Sequence, residues 1–363
     1  MRGGYILPCL AAVQPTLSGS FGYYLASLCT AFEKPGVFCP NNSNRGVSFY
    51  TRLWTVMFKL DPTTTNFIGI KSKFDTSPFS TMVSHYILGI WAALGTAVAG
   101  RAVERAAAAD CTLSRAQLLA AADAYVAAQT AGKLDPLDSF VASNWTFEEN
   151  NKVIDAKKSV TATKALKIES RRTIVDTVLC ASFTELIAPA GPFVIGTQIR
   201  HSVADGKVTL IDSVASTTGS WLFDAKKTLQ YAQAEKWDPI PQDKWDARDV
   251  IQAAGDHYMD LWSSSTAEAK IPWGTPCNRL EGGAYTGKGM PDDSCKAGVP
   301  SNHNQAPNSR RRYVIDQTYG SVSILCVWEH MMNAADSHEF RLEGGKLRYI
   351  HTMTECGGKT CRL

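Results

Sequence analysis

Two ionisable residues, Asp212 and His351, end two similar stretches of the chain, IRHSVADGKVTLID (199–212) and HEFRLEGGKLRYIH (338–351). Both stretches alternate around a Gly-Lys turn, which predicts a β-hairpin. Each residue shares its face of the strand with the side chain two positions earlier, Leu210 or Tyr349. If that face lines an apolar pocket, Asp212 and His351 would have shifted pKa values and could act as acid and base.

Two pairs of opposite charge provide further candidates. Arg172 and Asp176 flank the apolar residues of RRTIVD, and Arg312 and Asp316 do the same in RRYVID. An arginine beside a carboxylate could bind or stabilise a charged group in a pocket. The same spacing suits a structural ion pair near a pocket rim, and the sequence leaves both interpretations open.

Two tyrosines end similar helical stretches, Tyr125 in LLAAADAY (118–125) and Tyr258 in IQAAGDHY (251–258). We expect both rings to lie in a core, with hydroxyl groups that can reach a pocket mouth. The three matched pairs of stretches occur in the same order, about 133, 140 and 139 residues apart. Chance rarely preserves both order and spacing, so the chain is predicted to hold two tandem α+β units, each a helix followed by strands.

These matches divide the chain. We expect a first α+β domain over 110–220, a helical linker over 221–245 and a second domain over 246–363. Residues 82–109 resemble a signal peptide with a short pro-segment: Met82 precedes an apolar run too short to span a bilayer, and Ala97-Val98-Ala99 supplies a cleavage pattern. Residues 1–81 show no regular period and are interpreted as a dubious or disordered extension. The mature protein is therefore predicted to be secreted.

Cysteine usage agrees with an oxidising compartment, since the chain holds 10 cysteines and no C-x-x-C pair. An odd number, seven, follows residue 109, which leaves one thiol outside local disulfides. We expect a Cys277–Cys295 bridge that ties the base of an irregular loop with several Gly and Pro residues, 281–312, which is either a lid or a tolerated insertion. Asn144 begins an N-glycosylation sequon, Asn-Trp-Thr.

Composition excludes several classes of function. A net charge of +3 over 363 residues argues against nucleic acid as a partner, and the one basic run, 310–312, is expected to be a solvated strand start. The chain has no P-loop, dinucleotide fingerprint, G-x-S-x-G elbow or H-E-x-x-H motif. We therefore predict no metal, no cofactor and no stable membrane span.

The leading Ala/Tyr helix, the R-x-I-V-D strand start and the late Gly-Lys hairpin resemble the nuclear transport factor two-like superfamily, which includes SnoaL-like and ketosteroid-isomerase-like enzymes. Residues 110–363 more closely resemble secreted fungal proteins of a domain-of-unknown-function family. This resemblance implies a curved antiparallel sheet wrapped around helices as a cone with a deep pocket. It also implies a small hydrophobic ligand and a homodimer that pairs through the open sheet face.

Three functions fit these features, and the sequence favours the first. A cofactor-independent isomerase, cyclase, dehydratase or hydrolase would use Asp212 or His351 to move a proton on a hydrophobic secondary metabolite, and needs two ionisable groups in hydrogen-bond reach inside an apolar cavity. A secreted protein that only binds an apolar ligand needs the cavity without those groups. A surface or effector-like protein would have both cones filled by side chains.

Overall fold

The computed structural model describes residues 23–30, 52–59, 111–299 and 301–362. Strands β1 (Tyr23–Thr30) and β2 (Arg52–Lys59) form an antiparallel pair. No pattern in the sequence predicts this strand pair. The signal-peptide-like segment and its cleavage pattern lie outside the described residues.

The first repeat consists of one long helix, one short helix and six strands. Its elements are α1 (Arg115–Ala131), β3 (Val141–Glu149), β4 (Lys152–Ile154), α2 (Val160–Thr163), β5 (Ser170–Asp176), β6 (Ala181–Ala188), β7 (Phe193–His201) and β8 (Val208–Ser216). The strands form one sheet in the order β4-β3-β8-β7-β6-β5. Neighbours are antiparallel except β3 and β8, which run parallel.

The second repeat has the same topology. After a linker helix, α3 (Ala225–Ala234), it contains α4 (Arg248–Asp260), β9 (Asn278–Glu281), β10 (Ala284–Tyr285), β11 (Ser309–Asp316), β12 (Ser321–Trp328), β13 (Ala334–Glu343) and β14 (Lys346–Glu355). The sheet order is β10-β9-β14-β13-β12-β11, again with one parallel pair, β9 and β14. The predicted tandem α+β fold is therefore confirmed. The sheets are mixed rather than purely antiparallel, because β3 and β9 each join beside the last strand of their repeat.

Local sequence explains why α1 begins and ends where it does. Ser114 caps the first turn in a reciprocal capping box with Gln117, and Gly132 ends the helix in the left-handed conformation at φ 65°. The side chains buried on one face recur at helical spacing: Leu118, Ala121, Ala122, Tyr125 and Ala128. That face packs on the concave side of the first sheet, and α4 packs on the second sheet in the same way.

The other faces of the two sheets pack against each other. This interface is apolar at its centre, where first-repeat residues such as Ile174, Phe183 and Val214 meet Leu325 and Met353 of the second repeat. The open sheet face that the resemblance assigned to a homodimer is therefore covered within one chain. What remains for ligands is the concave side of each repeat.

Two reciprocal sets of hydrogen bonds fix how the sheets are paired. Asp176, at the end of β5, accepts hydrogen bonds from Arg248 at 2.5 Å and from the backbone N–H of Ile315 at 2.9 Å. Asp316, at the matching end of β11, accepts from Arg115 at 2.8 Å and from the N–H of Val175 at 2.9 Å. Each aspartate thus holds the first turn of the other repeat's helix and the neighbouring strand. The same pair of contacts is therefore made twice, once in each direction between the repeats.

We predict that Asp316→Ala destabilises the protein by about 2–4 kcal/mol, because it leaves the Val175 N–H and the Arg115 guanidinium without their acceptor. Asp176→Ala should cost a similar amount by symmetry. Asp123→Ala is the control. The Asp123 side chain is 63% exposed in its pair with Arg171, so this substitution should lower the free energy of unfolding by less than about 1 kcal/mol. Urea unfolding measures all three, and a loss for Asp316→Ala no larger than the control would contradict the assigned role.

Candidate functional site

The predicted acid–base face is the face buried between the two sheets, not a pocket wall. Asp212 and His351 are 1% and 2% exposed, and their neighbours Ile211 and Ile350 point to the opposite, concave side. Alternation had correctly grouped Asp212 with Leu210 and His351 with Tyr349 on one face. That this face lines a ligand pocket stays a prediction, and the other set of alternate residues points to the concave side.

His351 lies in a buried network of charges between the repeats. Its Nδ1 is 2.9 Å from Glu185 Oε2, and its Nε2 is 2.7 Å from Glu235 Oε2. Arg172 contacts Glu185 at 3.0 Å and Glu339 at 2.6 Å. Burial alone would lower the pKa of His351, but the carboxylates of Glu185 and Glu235 raise it to about 10. His351 is therefore an imidazolium held between two carboxylates.

Arg312 is the second repeat's counterpart of Arg172. It contacts Asp212 Oδ2 at 2.5 Å, and its carbonyl oxygen accepts a hydrogen bond from Gln198 Nε2 at 2.9 Å. Burial raises the pKa of Asp212, and Arg312 opposes that shift. The expected pairs Arg172–Asp176 and Arg312–Asp316 do not form, because each of these residues contacts the opposite repeat instead.

Space beside His351 is small. The cavity there measures about 10 Å³ and is lined by Glu185, Phe223, Thr228 and Met353 among others, which is room for about one water molecule. Tyr349 is half-buried and stacks on Trp237 of the linker at 5.5 Å between ring centroids, and Leu210 is also half-buried. The catalytic and ligand-binding roles expected from the sequence stay predictions. The contacts that the structure shows for the six charged candidates join the two repeats: Asp176, Asp212, Asp316, Arg172, Arg312 and His351.

The two predicted tyrosines lie on the concave side, and both are fully buried. The Tyr125 hydroxyl is 2.7 Å from Thr197 Oγ1, within a chain of neutral hydroxyl groups. The Tyr258 hydroxyl accepts a hydrogen bond from Arg279 Nη1 at 3.2 Å. The first repeat therefore surrounds its tyrosine with neutral groups, whereas the second places a cation beside it.

A cluster of ionisable side chains extends from Tyr258 into the second repeat. The His338 ring lies 5.7 Å from the Tyr258 ring between centroids, and His338 Nδ1 is 2.8 Å from Asp336 Oδ2. Asp336 also accepts from the Cys326 thiol at 3.4 Å and from Thr354 Oγ1 at 2.7 Å. His338 is 4% exposed, because β13 is covered on both faces.

Strand register gives each member of this cluster a counterpart in the first repeat. Pairing across β7–β8 and β13–β14 matches Ile195 with Asp336 and Thr197 with His338, and pairing with β3 and β9 matches Phe147 with Arg279. The first repeat thus has apolar or hydroxyl side chains where the second has charged or titratable ones. The cluster, Tyr258, Arg279, Cys326, Asp336 and His338, is called the second-repeat cluster below.

Several polar atoms of this region are not satisfied. Among the described residues, Trp273 Nε1 and Arg279 Nε are buried without a hydrogen-bond partner, and His338 Nδ1 makes no hydrogen bond although it lies 2.8 Å from Asp336 Oδ2. All three side chains contact Tyr258. Buried polar groups are nearly always paired, so these atoms mark a place for a polar ligand or ordered water.

A disulfide-tied loop covers the second-repeat cluster. The predicted Cys277–Cys295 bridge is confirmed, and the Arg279 guanidinium donates to the carbonyl oxygens of Cys295 at 3.4 Å and Ala297 at 2.5 Å. Two other disulfides, Cys111–Cys180 and Cys356–Cys361, leave Cys326 as the one free thiol among the cysteines of residues 111–362 that the structure describes. Residues 296–298 are exposed, and the buried Arg279 guanidinium lies against the carbonyl oxygen of Ala297 within this segment.

The first repeat has an open groove instead of a lid. Its volume is about 560 Å³, and it lies between the turn at Asp135–Leu137 and strands β3 and β4. Asn144, the predicted glycosylation site, has an exposed side chain on β3, and its modification stays a prediction. The 310–312 run is not simply solvated as expected, since Arg310, Arg311 and Arg312 all form ion pairs.

Comparisons with known proteins place a family match on the second repeat. Residues 244–354 match the model of a family described as a domain of unknown function, DUF8021. A crystal structure of an NTF2-like protein from Bacteroides fragilis aligns with 62% of this chain and 94% of its own length, at 11% identity and a TM-score of 0.16. No curated protein matches. Within the described residues, no helix combines the length and apolarity needed to cross a membrane.

The charge network around His351 predicts a pH dependence of stability. Because the folded pKa of His351 is raised to about 10 from a reference of 6.5, its contribution is complete below about pH 6.5 and is lost as the pH rises toward 10. Burial would raise the pKa of Glu185, but Arg172 and His351 lower it to about 2, so its contribution is lost as the pH falls from about 4.5 toward 2.

Urea midpoints measured from pH 3 to pH 10 should therefore be highest between about pH 4.5 and 6.5. His351→Gln, which cannot titrate, should lower the midpoint at pH 6 and flatten the alkaline decline. A wild-type decline above pH 7 that is unchanged in His351→Gln would contradict this assignment.

Proposed function

We propose that this protein is a cofactor-independent acid–base enzyme whose active site is the second-repeat cluster. The proposal rests on one observation: buried polar atoms without hydrogen-bond partners lie around Tyr258, next to the 2.8 Å contact between Asp336 and His338. Two ionisable groups in contact inside an apolar interior meet one part of the condition set above for an enzyme, and outward movement of the covering loop would have to provide the cavity. The reaction class is proton transfer on a small hydrophobic molecule, as in an isomerisation, cyclisation or dehydration.

The cost of this arrangement supports a functional role. Burying charged groups opposes folding unless they are fully paired, and the first repeat forms the same sheet with Ile195, Thr197 and Phe147. The fold therefore does not require charges at these positions. Perturbed titratable groups gathered in one interior are typical of active sites.

In the proposed mechanism, His338 is the general base. Asp336 faces Nδ1 and would hold that proton once the ring turns into alignment, which leaves Nε2 to take a proton from the substrate. Cys326 and Thr354 both donate to Asp336 and hold its carboxylate in place. Burial raises the pKa of the Cys326 thiol, which therefore serves as a donor and not as a nucleophile.

Tyr258 and Arg279 would stabilise negative charge on the substrate. Burial raises the pKa of Tyr258, so its hydroxyl keeps its proton and can donate it in a hydrogen bond to an oxyanion. Arg279 already donates to that hydroxyl and supplies a positive charge behind it. Abstraction of a proton next to a carbonyl would place the developing enolate oxygen at Tyr258, and return of the proton from His338 to another atom would complete an isomerisation.

The loop around the Cys277–Cys295 bridge serves as the lid in this proposal. Its carbonyl oxygens at positions 295 and 297 occupy the Arg279 guanidinium in the closed form. A substrate oxygen could replace them when the loop moves outward. Closure over bound substrate would then exclude water from the proton transfer.

We also propose secretion and a common ancestry for the repeats. Three disulfides and the signal-like sequence at 82–109 support an extracellular site of action. The shared strand order supports regarding the first repeat as a second, diverged copy of the domain matched at 244–354. The NTF2-like character and the relation to secreted fungal proteins belong to the same proposal.

Deuterium exchange tests the proton abstraction directly, whatever product the natural reaction yields. We expect the full chain to catalyse exchange of the α-protons of 1-tetralone, an apolar bicyclic ketone, in D₂O, followed by NMR. His338→Gln should slow this exchange about 100-fold or more, because a positioned general base contributes about 10²–10⁴-fold. Tyr258→Phe should also slow the exchange, by a smaller factor than His338→Gln.

Tyr125→Phe, which removes the equivalent hydroxyl from the first repeat, is the matched control and should leave the rate unchanged. Asp336→Asn provides a second test should His338→Gln fold poorly. Exchange that survives in both His338→Gln and Asp336→Asn would overturn the site. Binding of 1-tetralone and larger cyclic ketones by the wild type without any exchange would support a non-catalytic binding protein instead.

A further inference from the structure

The groove of the first repeat combines an apolar interior with a charged rim. Its floor is formed by buried Leu137 and Phe147, and its walls include Trp145, Val153 and Ile154. Val153 is 71% exposed although it stands on a strand. A volume of about 560 Å³ is within the range of sites that bind small molecules.

Charge at the rim is unbalanced. Three carboxylates line the groove, Asp135, Asp138 and Asp155, against one ammonium group, Lys157. All four residues are exposed. Within the part of the chain that the structure describes, none of the three carboxylates forms an ion pair, whereas most buried carboxylates of the two repeats do.

From this complementarity we infer that the groove binds a small amphipathic cation, an amine with an apolar or aromatic body. The body would lie on Phe147 and against the Trp145 ring, whose partner in the groove, Phe147, is 6.0 Å away between ring centroids. The ammonium group would face the rim carboxylates, and the Trp145 face adds a cation–π contribution. This site is separate from the second-repeat cluster and stands independently of the proposed enzyme activity.

The carboxylates at the rim also disfavour ligands of negative charge. An anionic ligand of the same shape would face three carboxylates, which disfavours it. A neutral ligand would gain only the apolar contacts. Specificity in the groove is therefore a difference between ligands that share one body and differ in charge.

A matched series of naphthalene ligands tests this inference on the full-length chain: 2-naphthylmethylamine, 2-naphthalenemethanol and 2-naphthoate, titrated by calorimetry at low salt. We expect the amine to bind about tenfold more tightly than the alcohol and the acid to bind most weakly. Raising the salt to about 0.5 M should narrow the gap between amine and alcohol, because exposed charges are screened.

Variants locate the effect. The double variant Asp135→Asn/Asp138→Asn should reduce the preference for the amine over the alcohol to about twofold or less. Asp292→Asn, an exposed carboxylate in the loop of the second repeat, should preserve it. Trp145→Leu should weaken the amine and the alcohol together, with circular dichroism as the check on folding.

Three results would overturn the inference: no binding of the amine at millimolar concentration, equal affinity for amine and alcohol in the wild type, or a preference that survives in the double variant. His338→Gln should leave amine binding unchanged. A change in amine binding in that variant would indicate that the amine binds at the second-repeat cluster instead.

Discussion

The structure depends on the reciprocal exchange between Asp176 and Asp316. Each carboxylate lies at the end of one repeat's strand and holds the first helical turn of the other, together with a backbone N–H of the facing strand. These contacts fix the register in which the two sheets pack. Because that packing covers one face of each sheet, any ligand must approach from the concave sides, where the helices lie. The buried arginines Arg172 and Arg312 extend the same symmetry to the centre of the interface.

Because the interface between the sheets stabilises the fold, the side chains on the two concave sides can differ. The first repeat combines a neutral hydroxyl chain at Tyr125 with an open, acid-rimmed groove. The second gathers Arg279, Asp336 and His338 around Tyr258 and closes over them with a disulfide-tied loop. The two repeats therefore share one sheet topology but differ in the side chains on their concave sides.

The tandem arrangement of two α+β units could be predicted from the sequence because helix, strand and hairpin keep their order and offsets. The Cys277–Cys295 bridge and the odd cysteine followed from local spacing. The pocket face could not be predicted, because alternation shows which residues share a face but not which face is concave. Here both faces are covered, and all eight residues of β6 are buried. Asp336 and His338 did carry a usable signal: they are two residues apart on one strand, in line with apolar Phe340. The reciprocal contacts of Asp176 and Asp316 join residues far apart in the chain, so no local pattern could reveal them.

Pairing of the two sheet faces within one chain is the claim on which this account rests, and native-state hydrogen exchange of the full chain tests it directly. If the sheets form one cooperative body, the slowest amides of β6 and β7 will have the same free energy of opening as those of β12 and β13, equal to that of global unfolding. Two distinct values, with the amides of one repeat exchanging through an opening that leaves the other protected, would contradict it.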